Sequence, residues 1–201
     1  MNEYPILFST DMVKAILDGR KTMTRRVVKD LAPDFPHGVG CDVVVRRVGD
    51  YWCLPTSRGY KKSPYGGIGD LLWVRETWAT NPFNNHIKPS ELSADITSLF
   101  YRANQGGNDS HYSWRPSIYM PRWASRITLE VTGVRVERVR GISEADARAE
   151  GVIPSGVGAD LAHLKYRAGF QTLWDTINAK RGHSWESNPW VWVVEFKQVQ
   201  P

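Results

Sequence analysis

A helix that must stop and a strand that must start within eight residues constrain this chain more than any other feature. The run Gly19-Arg20-Lys21-Thr22-Met23-Thr24-Arg25-Arg26 follows a short segment whose Met12, Val13, Ile16 and Leu17 share one helical face. Ser9 or Thr10 is placed to cap that helix, and Gly19 supplies the left-handed residue that ends it. The chain then leaves as an extended segment at one edge of the fold. With a strand beginning near Thr22, side chains alternate, so Thr22, Thr24 and Arg26 share a face and Lys21 sits in the joint before it. A lysine, a hydroxyl and a guanidinium converging on one pocket suit an anionic or amide-bearing ligand.

The rest of the chain reads as short strands with few helices. Tyr4 to Phe8, Val43 to Val45, Tyr51 to Leu54 and Leu71 to Trp78 are strand-like, the last as one largely buried strand. Ile127, Leu129 and Val131 alternate with polar residues, and Val134 and Val136 resume the alternation after Gly133, which marks a bulge or bend. Ser143-Glu144-Ala145-Asp146 opens a short helix that ends at Glu150-Gly151. A longer helix carries Leu161, Leu164, Phe170, Leu173, Trp174 and Ile177, and Trp190 to Phe196 is apolar enough for a central strand. Residues 81–116 are rich in Asn, Gly, Pro and His and too long for a plain loop, so an insertion or lid is expected within a single domain spanning 1–201. The expected class is α+β: a small, mixed, partly open β-barrel with peripheral helices.

Composition narrows the partners. A net charge of +5 favours a polyanion, nucleic acid or a nucleotide among them. No run of 18 apolar residues is present, so no membrane span is expected, and the opening Met-Asn-Glu-Tyr-Pro carries no secretory pattern. Cys41 and Cys53 form no framework, which suits a reduced, cytoplasmic protein. The five histidines lack ligand spacing, so no metal and no cofactor is expected.

Four motifs in order carry a family resemblance. They are the helix followed by Gly-Arg-Lys-Thr-x-Thr-Arg-Arg, the segment Gly69-Asp70-x-x-Trp73-Val74-Arg75-Glu76, the helix Ile142-Ser143-Glu144-x-Asp146-Ala147-x-x-Glu150-Gly151, and the closing Trp192-Val193-Val194-Glu195-Phe196. Together they resemble the activating-signal-cointegrator homology (ASCH) domain, and the tryptophan-rich ending resembles the versions found in bacteriophages and prophages. The resemblance implies a barrel related to the PUA fold, with a cleft between barrel and helices that binds RNA or modified nucleosides. Small bacterial members are similar to amidohydrolases that remove acetyl from N4-acetylcytidine with a lysine, a threonine and a glutamate. Carried over by motif, those positions are Lys21, Thr24 and Glu150.

The trio suits amide hydrolysis on chemical grounds. A threonine hydroxyl needs a base, and a lysine can be that base only if burial or a nearby cation such as Arg20, Arg25 or Arg26 lowers its pKa. Arg26 or a backbone amide can hold the oxyanion, while Glu150 orients Lys21 or protonates the leaving amine. Glu150 stands at a helix C-terminus, where the macrodipole disfavours a carboxylate. Arg20, Arg26, Arg75, Glu76, Trp52 and Trp114 complete the candidate ligand contacts. Arg75 and Glu76 are adjacent, so only one of them can line a cleft, and Glu76 also suits a buried partner for an arginine. Three uses of the site stay open: a binding module for RNA or modified nucleotides, an N-acyl amidohydrolase, and a metal-independent ribonuclease.

Overall fold

The computed structural model describes residues 1–29, 45–48, 51–56, 59–94, 98–105, 112–154 and 165–199. The chain opens with β1 (Glu3–Leu7), α1 (Thr10–Leu17) and β2 (Met23–Val27). A small antiparallel sheet follows, made of β3 (Arg46–Val48), β4 (Tyr51–Thr56) and β5 (Gly59–Lys62). Next come β6 (Leu71–Arg75), β7 (Trp78–Thr80) and β8 (Leu99–Tyr101). The chain ends with β9 (Thr128–Arg138), α2 (Glu144–Ala149), α3 (Lys165–Asn178) and β10 (Trp190–Val199).

The main sheet has the order β1-β6-β9-β10-β2, with β1 parallel to β6 and every other pairing antiparallel. This is an α+β architecture, and among the described residues its edge strands β1 and β2 do not pair, so the sheet stays open. β10 lies between β9 and β2, which suits its apolar run from Trp190 to Val194. Trp192 and Val194 join one core with Val13 and Ile16 of α1, while Val191 and Val193 join a second core with Ala147, Phe170 and Trp174. Successive residues of one strand thus serve opposite faces, with helices on both.

Gly133 does mark a bulge: the β9–β10 register shifts between Glu195 and Phe196, opposite Gly133 and Val131. A Cβ at Gly133 would fall 2.9 Å from Glu195 Oε2, so a side chain there would displace the carboxylate. The segment Leu71 to Trp78 departs from the expected single strand. It divides into β6 and β7 at Glu76, whose buried carboxylate turns into an ion pair with Arg126 at 2.9 Å. Of 81–116, the described residues form short 3₁₀ turns and β8, which pairs with β7. Ile87, Leu92 and Leu99 pack in a satellite core around Trp78, Met120 and Ala124. Leu161 and Leu164 lie outside the described residues, as do Val43, Val44 and Cys41; Cys53 is a buried free thiol. No helix among the described residues is long and apolar enough to cross a membrane.

Candidate functional site

The end of α1 builds the first half of the site. Ser9 accepts from the Met12 amide at its start, and Asp18 closes it. Gly19 then takes φ +70° and donates to Ile16 O, while the amides of Arg20 and Lys21 both donate to Ala15 O. These bonds satisfy the last helical carbonyls and turn the chain directly into β2.

The second half comes from the end of α2. Ser143 caps that helix through the Asp146 amide, and Glu150 follows its last turn. Gly151 takes φ +77°, and a Cβ there would fall 2.8 Å from Lys21 Cβ and 2.9 Å from Ala15 Cβ. Only a glycine lets the two helix ends approach this closely. An isolated antiparallel bridge then joins Lys21 to Glu150, and the Thr22 amide donates to Ala149 O at 2.9 Å.

Lys21 is buried along its whole side chain. Its Nζ donates to Glu150 Oε2 at 2.8 Å, to Glu150 O at 2.9 Å and to Met23 O at 2.7 Å. Burial pushes its pKa below the ordinary lysine value; the Glu150 carboxylate opposes that shift, and the charges of Arg26 and Arg25 add to it. Glu150 Oε1 accepts from Arg25 Nη1 at 3.3 Å. Glu150 is therefore bracketed by two cations from either end of Lys21–Arg25, and Arg148 is not its partner.

Arg25, named from the sequence only as a cation near Lys21, has a larger part that motif and alternation do not announce. Its guanidinium is fully buried and donates to Glu137 at 2.5 Å, to Asp146 at 2.7 Å and to Glu150, while stacking 5.9 Å from the Phe170 ring. Arg135 extends the network to Glu137, Asp146 and Glu195. Alternation sets Arg25 on the opposite face of β2 from Thr24 and Arg26. Its carboxylates arrive from β9 and α2, more than a hundred residues away, so no local spacing signals them.

Thr24 and Arg26 do share a face, and both line a cleft of about 510 Å³ at the edge strand β2. Glu150 and Arg25 also line it, Met12 and Tyr65 border one side, and Phe170, Leu173, Trp174 and Ile177 of α3 form an apolar wall on the other. Among the described residues nothing hydrogen-bonds the Thr24 hydroxyl, and Lys21 Nζ is not bonded to it. Arg26 donates to Leu7 O at 2.5 Å and lies 5.3 Å from the Phe8 ring. Burial holds Tyr65 above the usual phenol pKa, with the Arg26 charge acting against it.

The other candidates are placed elsewhere. Arg20 pairs with Asp18 at 2.8 Å, donates to Gly151 O, and lines a separate depression on the far side of the Lys21–Glu150 bridge. Arg75 donates to Met120 O and stacks on Trp73, and Glu76 is held by Arg126. Neither lines the cleft. Trp114 packs against Tyr112 and Arg102 in the satellite region. Trp52 faces Arg47 in the β3–β4 register, and its side chain lies outside the described residues. No described residue of 81–116 lines the cleft. Among the described residues no cluster of His, Cys, Asp or Glu is arranged to hold a metal ion.

No family model matches the chain, and no curated protein matches it. Two solved structures are similar to it. One is the ASCH domain from Lactobacillus crispatus JV V101, with 13% identity and a TM-score of 0.39 over 98% of this chain and 79% of that one. The other is a DUF984 protein from Enterococcus faecalis V583, with 10% identity and a TM-score of 0.38 over 99% and 76%. The first carries the domain name that the sequence motifs resemble.

Proposed function

We propose that this ASCH-like domain binds RNA or a modified nucleoside in the β2 cleft and hydrolyses an N-acyl amide on the base, as in N4-acetylcytidine. Lys21, Thr24 and Glu150 carry the reaction. The supporting observation is a fully buried Lys21 with a lowered pKa, tied to Glu150 and next to the strand on which Thr24, its hydroxyl without a hydrogen bond among the described residues, lines the cleft.

A neutral Lys21 keeps two N–H bonds for its present acceptors and gains a lone pair for a proton. As Thr24 Oγ1 attacks the acyl carbon, its proton passes to Lys21 Nζ. A backbone amide or Arg26 holds the oxyanion. The C–N bond then breaks, the leaving nitrogen takes the proton back from Lys21, and water hydrolyses the acyl-threonine to the free acid and the restored hydroxyl. Both oxygens of Glu150 are occupied by cationic donors, the arrangement of an orienting group rather than of a proton donor.

A second reading rests on one observation. The three hydrogens of a charged Lys21 are all taken by Met23 O, Glu150 O and Glu150 Oε2. In that state Lys21 is a staple between two helix ends, and the domain binds RNA without catalysis.

Incubation with N4-acetylcytidine, followed by chromatography for cytidine, separates the readings. Release by the wild type and none by Thr24→Ala supports the amidohydrolase. Retained binding without release supports the binding module. Shortening of an RNA oligonucleotide in the presence of a chelator would favour the ribonuclease instead.

A further inference from the structure

The cleft is far more cationic than its floor requires. Of the described charged residues lining it, Glu150 is the one carboxylate, and Lys21 and Arg25 already engage it. Arg25 is further matched by Glu137 and Asp146. Arg26, Lys29 and Arg181 have no carboxylate partner among the described residues. Low-dielectric walls around charges of one sign focus the field and draw in anions.

These cations are not scattered. Lys29 stands two residues beyond the end of β2, and Arg181 ends the 3₁₀ turn that follows α3. The two elements flank the cleft, and both residues are exposed at its surface. At roughly 3.3 Å per extended residue, Lys29 lies about 16 Å of backbone beyond Thr24. A flexible lysine side chain can reach back over part of that span. The α3 side of the lining is apolar, formed by Phe170, Leu173, Trp174 and Ile177. The lining thus combines the polar Thr24 and Glu150, apolar side chains from α3, and two exposed cations at the ends of the flanking elements. That combination suits a ligand with a base and a phosphate.

We propose that the ligand of this cleft is a phosphorylated nucleoside, with Lys29 and Arg181 binding its phosphate, rather than the free nucleoside. This inference rests on the cleft being the nucleoside site proposed above. The phosphate is a monoester in a free nucleotide and a diester in an RNA strand, and the chemistry at Lys29 and Arg181 is the same for both.

The test measures binding to the Thr24→Ala protein, so that turnover does not intrude, with N4-acetylcytidine, its 5′-monophosphate and a trinucleotide carrying the base internally. The better phosphorylated probe is expected to bind about tenfold more tightly than the nucleoside, the gain from one or two charge-assisted contacts. Lys29→Gln with Arg181→Gln is expected to shrink that advantage below about twofold while a melting curve shows the fold intact. The monophosphate binding better than the trinucleotide assigns a free nucleotide, and the reverse assigns a strand. Equal affinity of all three probes, or an advantage that survives the double substitution, overturns the phosphate site but leaves the cleft reading standing. No binding of any probe at millimolar concentration overturns both.

Discussion

Gly151 and Lys21 meet with no space for a side chain between them: a Cβ on Gly151 would stand 2.8 Å from the Cβ of Lys21. The lysine is therefore positioned by backbone packing as much as by its ion pair.

Gly151→Ala is expected to be costly twice over, through a left-handed φ of +77° and through contact with both Lys21 and Ala15. A loss of about 2–4 kcal/mol follows from strain and overpacking together. Denaturant unfolding measures it. Gly19→Ala, with open space around its Cβ, should lose only the smaller conformational share.

Lys21 makes stability depend on pH with a definite sign. Its folded pKa is lowered, chiefly by burial, so between that value and the unfolded value of about 10.4 the unfolded chain binds a proton that the folded chain does not. Stability from this group rises with pH through that window. Lys21→Met should abolish the rise, which is read by comparing unfolding curves of the two proteins from about pH 7 to about pH 9, below the ordinary titration of tyrosine near about pH 10.

Much of this site could be read from local sequence, and the rest could not. Gly19 as a helix stop, the shared face of Thr24 and Arg26, the Ser143 cap and the Gly133 bulge each follow from rules that act within a few residues. Pairing of Lys21 with Glu150 is different, since the two are 129 residues apart and only the motif resemblance linked them. Arg25 was legible only as a nearby cation acting on Lys21, not as the centre of an ion-pair network. Its role appears only once β9 and α2 deliver three carboxylates to one face of β2. Leu71 to Trp78 looked like one strand because apolar periodicity does not register that Glu76 finds Arg126 and turns inward.

Arg25→Met should destabilise the protein by about 3–5 kcal/mol, because buried Glu150 and part-buried Glu137 and Asp146 lose the cation they share. Arg25→Lys should recover only part of that loss, since a point charge cannot serve three carboxylates as a planar fork does. Thermal unfolding of the two variants side by side checks the difference.

Glu150→Gln removes the charge that holds the Lys21 pKa up while burial continues to push it down. If Lys21 is the base, the pH at which turnover becomes maximal moves to lower values, and kcat falls about 100-fold as Lys21 loses its orienting partner. The pH–rate profile on N4-acetylcytidine reports both effects. A profile moved upward would contradict the electrostatic account.

Glu76→Gln offers a contrast at a buried carboxylate away from the cleft. Its Arg126 partner loses a two-point contact, so stability should drop by about 1–3 kcal/mol. Affinity of the folded protein for ligand should stay within about twofold of wild type. A larger change would bring Glu76 into the ligand contacts that its sequence position suggested.

The strand order has a consequence for how the molecule comes together. β2 is the second strand along the chain, yet its hydrogen-bonded neighbour in the main sheet, β10, is the last. A polypeptide emerging from the ribosome therefore holds Lys21 to Val27 without that neighbour until Trp190–Val199 has been made. The β2 edge of the cleft is therefore completed only after β10 has been made, and occupation of the cleft would report that these two strands, more than 160 residues apart, have paired.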